Sequence, residues 1–247
     1  MRRYTYDAKN YPLSEIALGS IQKHYPDVQD LSLLHEHVPA KKIGELAKLI
    51  GKDLADTNFY SIFDDLLRDY VSLGEILVQR FGNIRINIPN QDKDGTVLPF
   101  HQGQWVGNGL GLRTVWLPFT DAYDSNSLQI VNLMDSRAIT DACNEWDYLR
   151  LQEECKKYCE PVNIRKGQFI LFTQEHIHGA AANRTGKTRM SVDVRLLLKD
   201  GQPHRKWPGA YFRKLGDTDI HSRKVEIKES DNAVSYTHLR AHETDSY

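Results

Sequence analysis

His178 is followed by Gly179, and eleven residues later comes Arg189, with Ser191 two positions beyond. From Thr188 to Leu196 the chain alternates: Met190, Val192, Val194 and Leu196 fall on one face, and Arg189, Ser191, Asp193 and Arg195 on the other. A period of two predicts a strand, so a guanidinium and a hydroxyl are aimed at the same space. Such a pair can hold a carboxylate, because the guanidinium fork binds both oxygens and the hydroxyl supplies a further donor. Upstream, Leu98-Pro99-Phe100-His101-Gln102-Gly103-Gln104-Trp105 offers a second imidazole. The plainer alternatives are a structural salt bridge for Arg189 and a satisfied polar side chain for either histidine.

Two histidines this far apart, with an Arg-X-Ser strand after the second, resemble the iron(II)- and 2-oxoglutarate-dependent oxygenases. The segments PFHQ, VWLPFTD, NSLQIV, GQFILF and HIHGAAANRTGKTRMSVDVR look most like the branch found sporadically in carbohydrate-biosynthesis gene clusters, over about Asn83 to Leu197. The resemblance implies that His101 and His178 bind iron(II) and that Arg189 and Ser191 hold the far carboxylate of 2-oxoglutarate, with dioxygen as cosubstrate. His176 competes with His178, and would share its face if the backbone there is extended.

The sequence departs from the pattern at one place. Where the superfamily carries a carboxylate ligand two residues after the first histidine, Gly103 stands. Iron halogenases of the superfamily carry Gly or Ala there, and the vacancy could take chloride or bromide. The resemblance therefore implies a halogenase, acting by hydrogen abstraction and halogen rebound on an unactivated aliphatic carbon of a small polar metabolite such as a sugar or nucleotide. The alternatives are a hydroxylase or oxidase of a carbohydrate-type substrate, with water, formate or Gln104 filling the gap, and a catalytically silent jelly-roll binding protein. Asn108, Thr114 and Trp116 are wall candidates around cosubstrate or halide, Trp116 reading also as core packing. Arg195 points the same way as Arg189 but could pair with Asp193 or Asp121.

These residues need elements to position them. Apolar residues at helical spacing predict amphipathic helices over Lys41–Ala55 and Asn58–Leu77, with Asn58 or Thr57 as cap. Residues 1–38 read as loops with a short strand and a short helix, and His24, His35 and His37 as surface residues. Phe81–Pro89, the His101 segment, Arg113–Phe119 and Leu128–Asn132 read as strands. About 136–158 reads as a helical insert. Val162–Ile164 and Gln168–Thr173 read as a hairpin-like pair leading to His178. Helices first and short strands after predict a mainly β domain with helical support, a double-stranded β-helix (jelly roll, cupin-like). One domain spans 1–233, with the N-terminal helices of 41–77 packed against it.

The net charge of −1 argues against a nucleic-acid surface. No segment reads as a membrane span or signal peptide. Three cysteines, Cys143, Cys155 and Cys159, suit a reducing cytoplasm. Cys155 and Cys159 lie one helical turn apart, but no second pair completes a metal site. The basic, aromatic segment 202–207 with Arg213 and Lys214 reads as a solvated loop that could touch a substrate phosphate. Residues 234–247, VSYTHLRAHETDSY, resemble the conceptual translation of a transposase-type sequencing adapter read from environmental DNA, and are set aside from the fold.

Overall fold

A computed structural model describes residues 1–90, 98–201 and 208–217. Along the chain come β1 (Arg2–Thr5), α1 (Leu13–Gln22), the single turn α2 (Leu34–His37), α3 (Ile43–Ala55) and α4 (Phe59–Tyr70). There follow β2 (Ile76–Gln79), β3 (Asn83–Asn87), β4 (Leu112–Pro118), β5 (Leu128–Val131), α5 (Leu133–Ala142) and α6 (Tyr148–Tyr158). The last elements are β6 (Cys159–Pro161), β7 (Gln168–Thr173), β8 (His178–Ala180), β9 (Arg189–Leu198), α7 (Pro208–Tyr211) and β10 (Phe212–Lys214). None of the described helices is long and apolar enough to cross a membrane.

The larger sheet runs β1-β7-β4-β9-β2-β10, with β3 also paired to β9, and the smaller runs β6-β5-β8. Every pairing is antiparallel. The alternation of β9 explains the layering. Met190, Val192, Val194 and Leu196 are wholly buried and join a cluster with Ile43, Leu46, Ile50 and Leu54 of α3 and Phe59, Phe63, Leu66 and Leu67 of α4. Burying each such side chain contributes about 1.5–3 kcal/mol. The opposite face of β9 is left to line the space between the sheets. There Trp116, Ile170 and Phe172 of the larger sheet pack on Leu128, Ile130, Val162 and Ile164 from the smaller sheet's side. The result is a double-stranded β-helix with helices covering the outside of one sheet.

Several sequence expectations change. The second helix ends at Tyr70 rather than Leu77, and 76–79 is a strand in which Ile76 pairs with Leu198. Gly74, at φ +68°, makes the reversal between them. Residues 162–164 and 168–173 do not form a hairpin. Ile164 bridges Ala122, whereas β7 pairs with β1 and β4. The turn at Gly167, φ +87°, sends the chain from one sheet to the other. The helical insert is two helices, broken by a 3-10 turn at Cys143–Glu145 and restarted by Asp147, whose side chain accepts from Arg150 N. Cys155 is core packing, buried beside Phe100, Val131 and Ile177. Arg213 is turned inward to Asp64 of α4, Nη2 to Oδ1 at 2.8 Å, and is not available to a substrate phosphate. Residues 202–207 and 234–247 lie outside the described residues.

The His101 segment makes only an isolated bridge, to His178, rather than a full strand. Pro99 sits within it and has no N–H to give to a ladder. The insert compensates. Gln152 of α6 grips Phe100, accepting from its N at 2.7 Å and donating to its O at 2.8 Å. Gln102 Nε2 donates to Thr140 Oγ1 of α5 at 2.8 Å and to Glu175 O at 2.6 Å. Ser136 Oγ of α5 accepts from Ile177 N at 3.0 Å. The insert therefore holds both histidine-bearing segments. Gln152→Ala removes two part-buried hydrogen bonds, and urea unfolding is expected to show a loss of about 1–3 kcal/mol; unchanged stability would contradict this clamp.

Candidate metal centre

The bridge between the histidine segments is reciprocal: His101 N donates to His178 O, and His178 N to His101 O, both at 3.0 Å. Side chains of a directly paired antiparallel couple leave the same face, and the ring centroids lie 4.4 Å apart. Gly179 permits the close approach. A Cβ there would stand 2.9 Å from Leu98 O and 3.1 Å from Phe100 N, both backbone atoms that cannot swing aside. The order His-Gly is thus a packing requirement of the bridge.

Each imidazole is oriented through Nδ1. That of His101 lies 2.9 Å from Pro99 O and that of His178 lies 3.0 Å from His176 O. A carbonyl can only accept, so both Nδ1 atoms carry the proton and both Nε2 atoms present lone pairs. Backbone carbonyls hold metal-ligating histidines in the same way. Burial lowers the pKa of His101. Burial and the neighbouring His101 push His178 down to about 3. Both rings are therefore neutral near pH 7, the form that binds a metal. Among the described residues no cluster of three or more His, Cys, Asp or Glu is placed to hold an ion. The donor set fits iron as a two-histidine centre, its remaining positions left to small ligands.

The rival His176 is turned away. The chain turns at Thr173–His176, His176 N donating to Thr173 O at 3.3 Å, so 176 and 178 do not share a face. His176 is 2% exposed, with Nδ1 2.9 Å from Thr173 Oγ1 and Nε2 3.4 Å from the Met1 amine. Burial and that amine lower its pKa to about 4.

The space beside Gly103 is not open. A Cβ at 103 would lie 1.8 Å from Gln174 Oε1 and 2.7 Å from Gln174 Cδ. The buried carboxamide of Gln174, donating through Nε2 to Thr114 Oγ1 at 2.9 Å, fills the place where a carboxylate side chain would begin. The sequence reading missed Gln174, which reaches the glycine from the turn after β7. Gln104, the other candidate, lies in the turn closed by Gly107 N donating to its carbonyl at 3.0 Å.

Arg189 and Ser191 form the expected pair. Arg189 Nη1 donates to Ser191 Oγ at 3.0 Å, and Nε to Asn126 O at 3.0 Å. Trp116 Nε1 also donates to Ser191 Oγ, at 3.1 Å, so Trp116 supports the pair as well as packing. With two donors arriving at its oxygen, Ser191 keeps its own hydroxyl proton to give away. Arg189 is 4% exposed, and no carboxylate lies within ion-pair distance of it among the described residues. Burial, then the charge of Arg85, pull its pKa down to about 10. A buried cation without a counter-ion is costly, and an incoming carboxylate relieves that cost.

The other candidates line the same region. Asn108 N donates to Gly103 O at 2.9 Å, and its buried Oδ1 has no partner among the described residues. Thr114 stands opposite Arg195 in the β4–β9 register. Arg195 pairs with neither Asp193 nor Asp121; its Nη1 donates to Tyr211 OH at 2.7 Å. Asp193 is taken by Arg85 at 3.2 Å and Asn83 at 2.7 Å, and Asp121 accepts from Lys166 N at 2.9 Å.

The family model for phytanoyl-CoA dioxygenase (PhyH) matches residues 32–191. No curated protein sequence matches the chain. Among solved structures it is similar to a non-heme monooxygenase, ThoJ, in a nickel complex, with 17% identity over 78% of this chain and 71% of that one at a TM-score of 0.43. It is similar also to AviO1 from Streptomyces viridochromogenes Tue57, with 12% identity over 81% and 89% and a TM-score of 0.47. HygX from Streptomyces hygroscopicus, with nickel and 2-oxoglutarate bound, gives 11% identity over 83% and 84% and a TM-score of 0.44. The family match spans more than half the sequence and includes both histidines and Arg189, so the chain belongs to the phytanoyl-CoA dioxygenase family and to the non-haem iron- and 2-oxoglutarate-dependent oxygenases.

Proposed function

We propose that this chain is a non-haem iron(II)- and 2-oxoglutarate-dependent halogenase that places chlorine, or bromine, on an unactivated aliphatic carbon of a small polar metabolite. The observation that carries the reading is Gly103, two residues beyond His101, whose ring lies 4.4 Å from that of His178. No third His, Cys, Asp or Glu joins them among the described residues. Bound iron, with 2-oxoglutarate and dioxygen, supplies the oxidant that takes a hydrogen atom from carbon while 2-oxoglutarate becomes succinate and carbon dioxide.

The protein's part is positioning. His101 and His178 hold the metal through Nε2. Arg189 and the free hydroxyl proton of Ser191 hold the far carboxylate of 2-oxoglutarate, with Trp116 and Asn126 keeping both in place. Gly103 withholds a protein carboxylate, so a halide balances the metal's charge. Gln174 must swing aside to admit it; its carboxamide Oε1 and Cδ crowd the glycine most closely, with its Cβ behind them at 3.1 Å from a Cβ built at 103. Thr114 can partner that carboxamide in either orientation, because a hydroxyl both donates and accepts. The filled space at Gly103 favours a second reading, oxidation or hydroxylation of a carbohydrate-type substrate, in which Gln174 keeps halide out and water completes the metal's shell.

Two experiments test this reading without knowledge of the substrate. In equilibrium dialysis, His101→Ala and His178→Ala should each weaken iron(II) retention by more than the roughly 10–100-fold that loss of an outer partner costs, while His176→Ala retains it. Loss in the His176 variant would exchange the assignments. Wild-type iron retention should also rise with chloride. Gly103→Asp, which supplies its own anion, should abolish that dependence, and adding Gln174→Ala should tighten its metal binding by relieving the clash. A chloride dependence that survives Gly103→Asp would sink the halide position. A wild type indifferent to chloride selects the hydroxylase reading.

A further inference from the structure

Arg195 lies on the same inward face of β9 as Arg189, six residues further on, which separates their Cα atoms by roughly 20 Å. The two guanidiniums thus stand at opposite ends of one strand face. Of the two, Arg195 is the one whose charge acts on both His101 and His178. Its cross-strand neighbour, Thr114, holds the carboxamide that abuts Gly103. Arg195 therefore belongs to the histidine end of the interior, away from the Arg189–Ser191 pair.

Its hydrogen bonding is half complete. Nη1 donates to Tyr211 OH at 2.7 Å and to Gln79 Oε1 at 3.5 Å. Nε is closed off from solvent and has no acceptor, and Nη2 makes no hydrogen bond among the described residues. Nε and Nη2 form one edge of the guanidinium, the edge that meets an oxyanion side-on through two parallel N–H donors. Neither of the carboxylates expected to neutralise Arg195 does so. Asp193 is hydrogen-bonded to Arg85 and Asn83. Against burial, which raises its pKa, Arg85 and then Arg195 hold the Asp193 carboxyl below the usual range. With Asp193 matched to Arg85, Arg195 has no carboxylate within ion-pair distance among the described residues. Buried donors are ordinarily satisfied, and a half-empty fork beside the metal centre is a place where a ligand completes the set.

We propose that Arg195, backed by Tyr211 and Gln79, is a substrate-binding residue that takes an oxyanion, a carboxylate or phosphate, on the target metabolite. The assignment rests on the oxygenase reading of the site and narrows its substrate to an acidic small molecule. Arg189 anchors the cosubstrate at one end of β9 and Arg195 anchors the substrate at the other, with the metal centre nearer the second. Tyr211 fixes the plane of the Arg195 fork, and the inward Arg213–Asp64 pair of the adjoining β10 fixes the segment that carries Tyr211.

The test is calorimetric titration of inorganic phosphate, and separately of acetate, into nickel-loaded full-length protein saturated with 2-oxoglutarate. The wild type should bind at least one of the two saturably, and the one bound tighter identifies the group. Arg195→Gln should weaken that binding about 10–100-fold, and Arg195→Lys, which keeps the charge without the fork, should fall between. Tyr211→Phe should weaken it by a smaller factor, and serves if the Arg195 variants do not fold. Binding equal in wild type and Arg195→Gln would overturn the proposal, as would a wild type that binds neither anion. Heat of 2-oxoglutarate binding, measured with Arg189→Gln as control, reports separately on the oxygenase reading. If that heat is absent while phosphate or acetate binding depends on Arg195, the anion site stands and the cosubstrate assignment fails.

Discussion

Two backbone hydrogen bonds between His101 and His178 are the constraint on which the site depends. They join segments far apart in sequence, and neither segment is held by its own local propensity. One carries a proline where a ladder needs a donor. The other is a three-residue strand, too short to be stable by itself. What secures them is tertiary: the pairing of β8 with β5, a glycine that lets backbones approach, and polar side chains of α5 and α6 that serve the backbone groups the short ladder leaves over. The helical insert is thereby part of what holds the two histidines together. Loosening this frame would move both histidines together, which is why rigid elements and supporting contacts matter for precise sites.

The second determinant is electrostatic. Arg189 and Arg195 face the space between the sheets and neither has a carboxylate within ion-pair distance among the described residues, whereas the more exposed Arg85 has Asp193 at 3.2 Å. The two imidazoles are neutral there because burial penalises their charged forms. Burying cations without counter-ions lowers the stability of the free protein. The arrangement makes sense for a cavity whose complement is anionic: a dicarboxylic cosubstrate, and ligands that neutralise a divalent metal. Its location follows from the alternation of β9, one face spent on the helical core and the other on chemistry.

The strand β9, the pairing of Arg189 with Ser191, and the helices at 43–55 and 59–70 were legible because each is written in local periodicity. Partner choice was not. The segments 162–164 and 168–173 alternate well enough for a hairpin, yet Gly167 divides them between two sheets. Leu77 continued a helical pattern by coincidence, and β2 forms because β9 and β10 flank it. Gln174 was invisible for a different reason: a glutamine in a turn says nothing about the glycine it reaches 71 positions upstream. Arg195 was readable as inward-facing, but its partners were not, since Asp193, two residues away on the same face, is claimed by Arg85 on the neighbouring strand. Side-chain competition of this kind depends on register, which a single sequence leaves open.

The account's central claim is that the two histidines and the Arg189–Ser191 pair form one site for metal and 2-oxoglutarate. Anaerobic titration of 2-oxoglutarate into iron(II)-loaded protein, read by the visible metal-to-ligand charge-transfer band, tests it most directly. The account predicts a band in the wild type, none in His178→Ala, and a markedly higher 2-oxoglutarate concentration for half-saturation in Arg189→Gln. A folded wild type that shows no band, or a band that forms equally well without Arg189, would contradict it.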